Sequence, residues 1–273
     1  MNTPKHVYKS IPLDKNGCAH YSTEEQETWL FLLNRQNELV KNRASIEYLK
    51  GIELLKFGNQ IPQHFEITDR LKSHTGWGVE PVAALIQPEE FFTLLSKKRF
   101  PAANFIRTKA DIDYIQEPDV FHEFYGHCPL LTNAAYAEFM HAYGNLALIA
   151  DRKTQMRMFR LFWFTIEFGL IKENNKMKAY GGGILSSKSE IIYSVESEIP
   201  ERRILDPMEA LRTPFRIDIL QPVYFVINSY DDLFKLISKD PFKMAQESML
   251  LSDFPAKFER KTEKKLDKSQ KAS

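Results

Sequence analysis

Residues 117–129 read Glu-Pro-Asp-Val-Phe-His-Glu-Phe-Tyr-Gly-His-Cys-Pro, with two histidines, His122 and His127, and an acid, Glu123, beside the first. Pro118 predicts the start of a helix here, and Gly126 and Pro129 predict its end. The run is not the H-E-x-x-H of zinc proteases, which sets two histidines one turn apart on one helix face. His122 and His127 are five positions apart, roughly 140° around an α-helix. Both can reach one metal only where the helix breaks between them, and Gly126 with Pro129 makes that break the expectation.

A third ligand is offered by Glu167, set in Phe162-Trp-Phe-Thr-Ile-Glu-Phe-Gly169. The surrounding stretch, 156–172, is apolar nearly all round and predicts a buried helix. A carboxylate inside it is costly unless a cation compensates it. A divalent metal does so, and so does Arg160 on the same helix. Two imidazoles and one carboxylate leave metal positions open, as non-haem Fe(II) requires. The same set also binds zinc, with Glu123 then placed as a general base. A structural metal is a third reading, for which the Cys128 thiol lies near.

Helical spacing dominates on either side. Ser22-x-x-Glu25 has the form of a capping box, and the apolar positions after it recur at helical spacing as far as Gly58. Further helices are expected near 65–73, over 89–97 after Pro88, and over 134–150. Residues 79–86 read as a strand or extended loop, 224–227 as a strand or a buried turn of helix, and Gly181-Gly182-Gly183 as a turn. That glycine triplet is no phosphate loop, since no Gly-Lys-Ser/Thr follows. With no repeat and no long linker, the expectation is a single domain, mainly α with a small β component. A leader at 1–20 precedes the catalytic unit at 21–256, and a charged tail follows at 257–273, with seven Lys/Arg against three Asp/Glu.

Composition narrows the function. The 273 residues are 43% hydrophobic and 12% aromatic, with 20 Phe, enough for a ring-lined core. A formal net charge of +1 offers no basic field for nucleic acid or anionic membrane. Two cysteines exclude a disulfide framework and fit a reducing compartment. The N-terminus shows no apolar signal region, and no stretch is long and apolar enough to span a bilayer. A cytoplasmic protein is expected, acting on small molecules, with no nucleic acid or membrane partner, as a monomer or homodimer.

Three runs together resemble one family. They are His122-Glu-Phe-Tyr-Gly-His127-Cys-Pro, Trp163-Phe-Thr-Ile-Glu167-Phe-Gly-Leu and Lys178-Ala-Tyr-Gly-Gly-Gly-Ile-Leu-Ser-Ser187. In order and spacing they are similar to the catalytic domain of the pterin-dependent aromatic amino acid hydroxylases, over about Ser22 to Leu236. The resemblance implies a basket-like, mainly helical domain with a small sheet. It also implies Fe(II) on His122, His127 and Glu167, and tetrahydrobiopterin or a related tetrahydropterin as cosubstrate. It matches the short form without a regulatory domain.

On the pterin side the resemblance assigns Phe91 as a stacking ring, Glu123 as a nearby acid, and Leu85 and Ile86 as a backbone contact. On the amino acid side it assigns Arg107 to the substrate carboxylate, and Trp163, Phe168 and Tyr114 to the pocket. Ser186 and Ser187 match the family's pair that helps hold the amino acid. Ile115-Gln116 replaces the family's Thr-Pro, and Phe162 stands where a Tyr is common. Anchored on Gln221, Ile217 falls where tyrosine hydroxylases carry Asp, unless a shift brings Asp218 there. With Trp163 filling space an indole would need, the implied substrates are L-phenylalanine, O2 and tetrahydropterin, with tyrosine or tryptophan as the alternative amino acid.

Overall fold

Ser22 opens the first helix through the box its sequence predicts. Its hydroxyl accepts the Glu25 N–H at 3.3 Å, and the Glu25 carboxylate accepts the Ser22 N–H at 2.7 Å. The computed structural model describes residues 8–259. That first helix, α1 (Thr23–Val40), does not run on to Gly58. Ser45 caps a second one, α2 (Ile46–Leu55). The interruption has a tertiary cause: Ser45 N–H donates to the Ala179 carbonyl (2.9 Å) and Ala179 N–H to the Arg43 carbonyl (2.7 Å). Helical spacing cannot report a partner so distant in sequence.

Next come α3 (His64–Thr75), β1 (Gly78–Val82), α4 (Pro88–Ser96) and β2 (Arg99–Ala103). β1 and β2 pair in parallel, with α4 as the crossover between them. A short stretch carrying His122 and His127 leads into α5 (Ala134–Leu148) and α6 (Arg152–Phe162). The single helix expected over 156–172 divides. α6 ends at Phe162, a wider turn carries 163–167, and Gly169 starts β3 (Gly169–Glu173). Gly169 is required there, because a Cβ would stand 2.2 Å from the Tyr180 ring.

The chain continues through β4 (Lys176–Ala179), α7 (Gly182–Leu185), α8 (Lys188–Glu196), β5 (Glu201–Ile204), α9 (Pro207–Arg212) and β6 (Val223–Ile227). It closes with α10 (Asp231–Ser238) and α11 (Pro241–Ser248). The second sheet has the order β4-β3-β6-β5, with β6 parallel to both neighbours. Residues 224–227 therefore take the strand option, buried at every position as a central strand should be. The fold is mainly α with a small β component, as expected.

The described part of the leader is pinned to the body. Ser10 Oγ donates to the Val82 carbonyl (2.7 Å), Asn104 Nδ2 to the Ile11 carbonyl (3.1 Å), and Ala19 N–H to Gln63 Oε1 (2.8 Å). At the other end Lys257 lies 2.8 Å from Glu201. Residues 1–7 of the leader and 260–273 of the charged tail fall outside the described residues. Among the described residues no helix is long and apolar enough to cross a membrane.

Candidate active site

The break expected between His122 and His127 does not occur. The helix widens instead: over His122–His127 the hydrogen bonds run i→i+5, as where Cys128 N–H donates to the Glu123 carbonyl. In a turn of that width, residues five apart come round to nearly the same side. The two Nε2 atoms stand 3.2 Å apart. Gly126 serves close approach, not termination, since a Cβ there would sit 2.7 Å from the Gly182 carbonyl oxygen.

A second turn of the same kind, Trp163–Glu167, closes with Phe168 N–H donating to the Trp163 carbonyl at 2.8 Å. It sets the Glu167 carboxylate 3.2 Å from His127 Nε2 and 3.7 Å from His122 Nε2. Donor atoms about 2.0–2.2 Å from one ion and at right angles about it lie about 3 Å apart. The three donors therefore fit one face of a single metal ion. Arg160 does not compensate Glu167; its guanidinium pairs with Asp253 at 2.8 Å.

Two carboxyl groups flank the imidazoles, for Glu123 also lies within 4.8 Å of both. Their environments separate them. Burial and the charge of Glu167 push Glu123 well above the usual carboxylate range. Burial works the same way on Glu167, but His127, His122 and the Gly183 N–H outweigh it and hold Glu167 below that range. Glu167 is also the nearer of the two, and an ionised carboxylate is the better ligand.

The shell behind the ligands fixes their orientation. Ser186 Oγ donates its single proton to the Gly182 carbonyl at 2.9 Å. Toward His122 Nδ1, also at 2.9 Å, it must then accept. That assigns the proton of His122 to Nδ1 and leaves the Nε2 lone pair facing Glu167 and His127. Burial lowers the His122 pKa to about 4, which keeps the ring neutral as a ligand must be. The glycine triplet is a floor and not merely a turn. A Cβ on Gly182 would meet three atoms of the His127 ring at 2.3–2.5 Å, and one on Gly181 the Glu167 carbonyl oxygen at 2.3 Å.

Arg107 is 5% exposed, and Asp119 closes one edge of its fork (Nε–Oδ2 2.8 Å, Nη2–Oδ1 2.9 Å). The Nη1–Nη2 edge remains for a carboxylate. Asp119 escaped the sequence reading, although an Asp just after Pro118 is a capping signal. It accepts the His122 N–H at 2.9 Å and so ties Arg107 to the first ligand.

Trp163 lies between Phe168 and Phe215, at centroid distances of 4.4 and 4.5 Å. Tyr114, half-exposed, donates to the Ile217 carbonyl at 3.1 Å, so the two assigned pocket residues do meet. The Ser187 hydroxyl caps α8 by accepting the Glu190 N–H at 3.2 Å. Phe91 is partly buried and held edge-on by Phe92 and Phe162. Leu85 is exposed and Ile86 partly so, on the bend before α4. Glu123's carboxyl makes no hydrogen bond to any described residue.

This geometry is that of a mononuclear metal enzyme with two histidines and one carboxylate on one face. The sequence profile of the biopterin-dependent aromatic amino acid hydroxylases matches residues 10–264. Phenylalanine-4-hydroxylase of Pseudomonas aeruginosa is 48% identical over 252 residues, which are 92% of this chain and 95% of that protein. Among solved structures, phenylalanine hydroxylase from Legionella pneumophila superposes with a TM-score of 0.89 at 48% identity, covering 92% of this chain and 100% of that one. The enzyme from Chromobacterium violaceum with bound oxidised Fe(III) gives 0.84 at 38%, covering 90% and 89%. The chain belongs to the biopterin-dependent aromatic amino acid hydroxylases.

Proposed function

We propose that this protein hydroxylates L-phenylalanine to L-tyrosine, using O2 and tetrahydrobiopterin or a related tetrahydropterin at a non-haem Fe(II). The observation that carries the reading is the convergence of His122 Nε2, His127 Nε2 and the two Glu167 carboxylate oxygens, Oε1 at 3.2 Å from His127 and Oε2 at 3.7 Å from His122. Those three residues would hold the iron. Bound there, the iron with the pterin would supply the activation of O2, one oxygen atom going to the substrate ring and the other to the pterin.

The chain's own residues bind, orient and exclude water. Arg107 takes the substrate carboxylate on its Nη1–Nη2 edge, with Asp119 fixing the guanidinium plane. Trp163, Phe168 and Phe215 form an apolar wall that keeps water from the reacting ring. Ser186 holds His122 in its ligating tautomer and so acts on the amino acid only indirectly. Glu123, Phe91 and the Leu85-Ile86 backbone are the residues we assign to the pterin. We take 21–256 as the catalytic unit, working in the cytoplasm as a monomer or homodimer.

Among aromatic amino acids, phenylalanine is favoured by Ile217. An apolar side chain there offers a tyrosine hydroxyl no hydrogen-bond partner. Asp218 does not substitute for it, because Arg216 holds its carboxylate at both oxygens (2.9 Å each). The test is kcat/KM for Phe, Tyr and Trp with Fe(II) and one synthetic tetrahydropterin. Phe should lead, and Ile217→Asp should raise the relative rate on Tyr. A Tyr or Trp value equal to that for Phe refutes the choice.

A further inference from the structure

Gln221 was only an alignment anchor in the sequence. In the structure it is 1% exposed and each of its polar side-chain atoms is engaged. Its Oε1 accepts the Trp163 indole N–H at 3.1 Å. Its Nε2 donates to the carbonyls of Arg216 (2.8 Å) and Ile219 (2.9 Å). One amide thus reaches two walls of the pocket: the ring stack on Trp163, and the irregular loop 213–220 that carries Phe215 and Ile217. Below it, the Glu190 carboxylate accepts the Gln221 N–H at 3.0 Å and the Tyr224 hydroxyl, anchoring the amide to α8 and β6.

We propose that Gln221 is a positioning residue for amino acid recognition, holding the Trp163 wall and the Ile217 loop at a fixed separation. The inference rests on the function proposed above. An irregular loop has no ladder of its own to set its distance from a neighbouring turn. Here that distance is set by one side chain with an acceptor toward the indole and two donors toward the loop. No hydrophobic residue of the same length can replace both directions of bonding, and a carboxylate can replace only one.

Three variants of the full chain separate the parts. Gln221→Met keeps length and loses every side-chain bond. Gln221→Glu keeps an acceptor for Trp163 but turns oxygens toward the Arg216 and Ile219 carbonyls. Trp163→Phe removes the indole N–H together with the five-membered ring stacked on Phe168 and Phe215, and serves only to identify the indole resonance. For Gln221→Met, KM for phenylalanine should rise about tenfold and the Phe:Tyr ratio of kcat/KM should fall by a similar factor, the size expected for losing a buried hydrogen bond. KM for the tetrahydropterin should stay within twofold.

In the zinc-loaded protein the Trp163 indole N–H resonance, identified by its loss in Trp163→Phe, should move in Gln221→Met and stay in Gln221→Glu. Gln221→Glu should still lose Phe:Tyr discrimination. Should Gln221→Met fail to fold, Gln221→Glu carries the same kinetic comparison. Unchanged KM and ratio overturn the proposal, and so does a pterin KM that rises in parallel, which would mark general loosening. No tyrosine formed by the unmodified protein would instead sink the function itself.

Discussion

A Cβ on Gly182 would stand 2.3, 2.5 and 2.5 Å from three ring atoms of His127. All three belong to a rigid planar ring, so none can move without the others. The ring is 1% exposed and backed by Phe100 at a centroid distance of 5.0 Å, so it has no room to retreat. Gly182→Ala should therefore displace His127 Nε2 from the other two donors. Metal affinity should drop at least as far as loss of an outer-shell partner takes it, about 10–100-fold. Iron content after dialysis against a chelator reads this directly, and full occupancy would show that the floor can yield. The ligands themselves were legible in the sequence, because a charged residue in an apolar run and a spaced histidine pair are local signals. Gly182 was legible only as a turn. What it meets lies 55 positions earlier in the chain, and no local pattern encodes that approach.

At the scale of elements, periodicity found where helices lie but not how they are wound. Both ligand turns have i→i+5 bonding, and the 3.6-residue rule turned the five-residue spacing of His122 and His127 into a break that is not there. β2, β4 and β5 are four or five residues long, and what makes them strands is their partners. The α8–β6 contact contains a further feature without a local signature, the buried Glu190. Burial raises its pKa to about 7, against hydrogen bonds from Tyr224 and Gln221 that favour the ionised form. A carboxyl whose folded pKa lies above its unfolded value stabilises the fold at low pH. That contribution is lost as pH rises from about 4.5 to about 7. Glu190→Gln keeps the acceptor and cannot ionise. Relative to the parent, its unfolding free energy should increase by on the order of 3 kcal/mol between pH 4.5 and pH 8. Urea titrations at the two ends measure this, and a pH-independent difference would mean Glu190 ionises as freely folded as unfolded.

Across the whole molecule, residues 250–259 form an irregular strap that no periodicity announced. Asp253 receives Arg157 at 2.6 Å and Arg160 at 2.8 Å, both from α6. Arg212 donates to the Ser252 carbonyl at 2.9 Å and lies over the Phe254 ring at 4.3 Å, while Phe254 N–H donates back to the Arg212 carbonyl at 3.0 Å. Farther on, Arg216 donates to the Glu259 carbonyl at 3.0 Å, one residue from Ile217. The strap's side chains are partly or fully exposed, so its attachment rests on polar tethers and little apolar burial. Such a segment should open separately from the core, at a lower free energy. Asp253 is about a third exposed, so solvent weakens its two ion pairs, and together they are worth about 1–2 kcal/mol. Asp253→Ala should then speed amide exchange at Phe254 by about 5–30-fold, the factor that energy converts to. Amides of β6, which sit between two parallel neighbours at the centre of the sheet, should keep their parent rates. Equal acceleration at both places would show that the strap unfolds with the core.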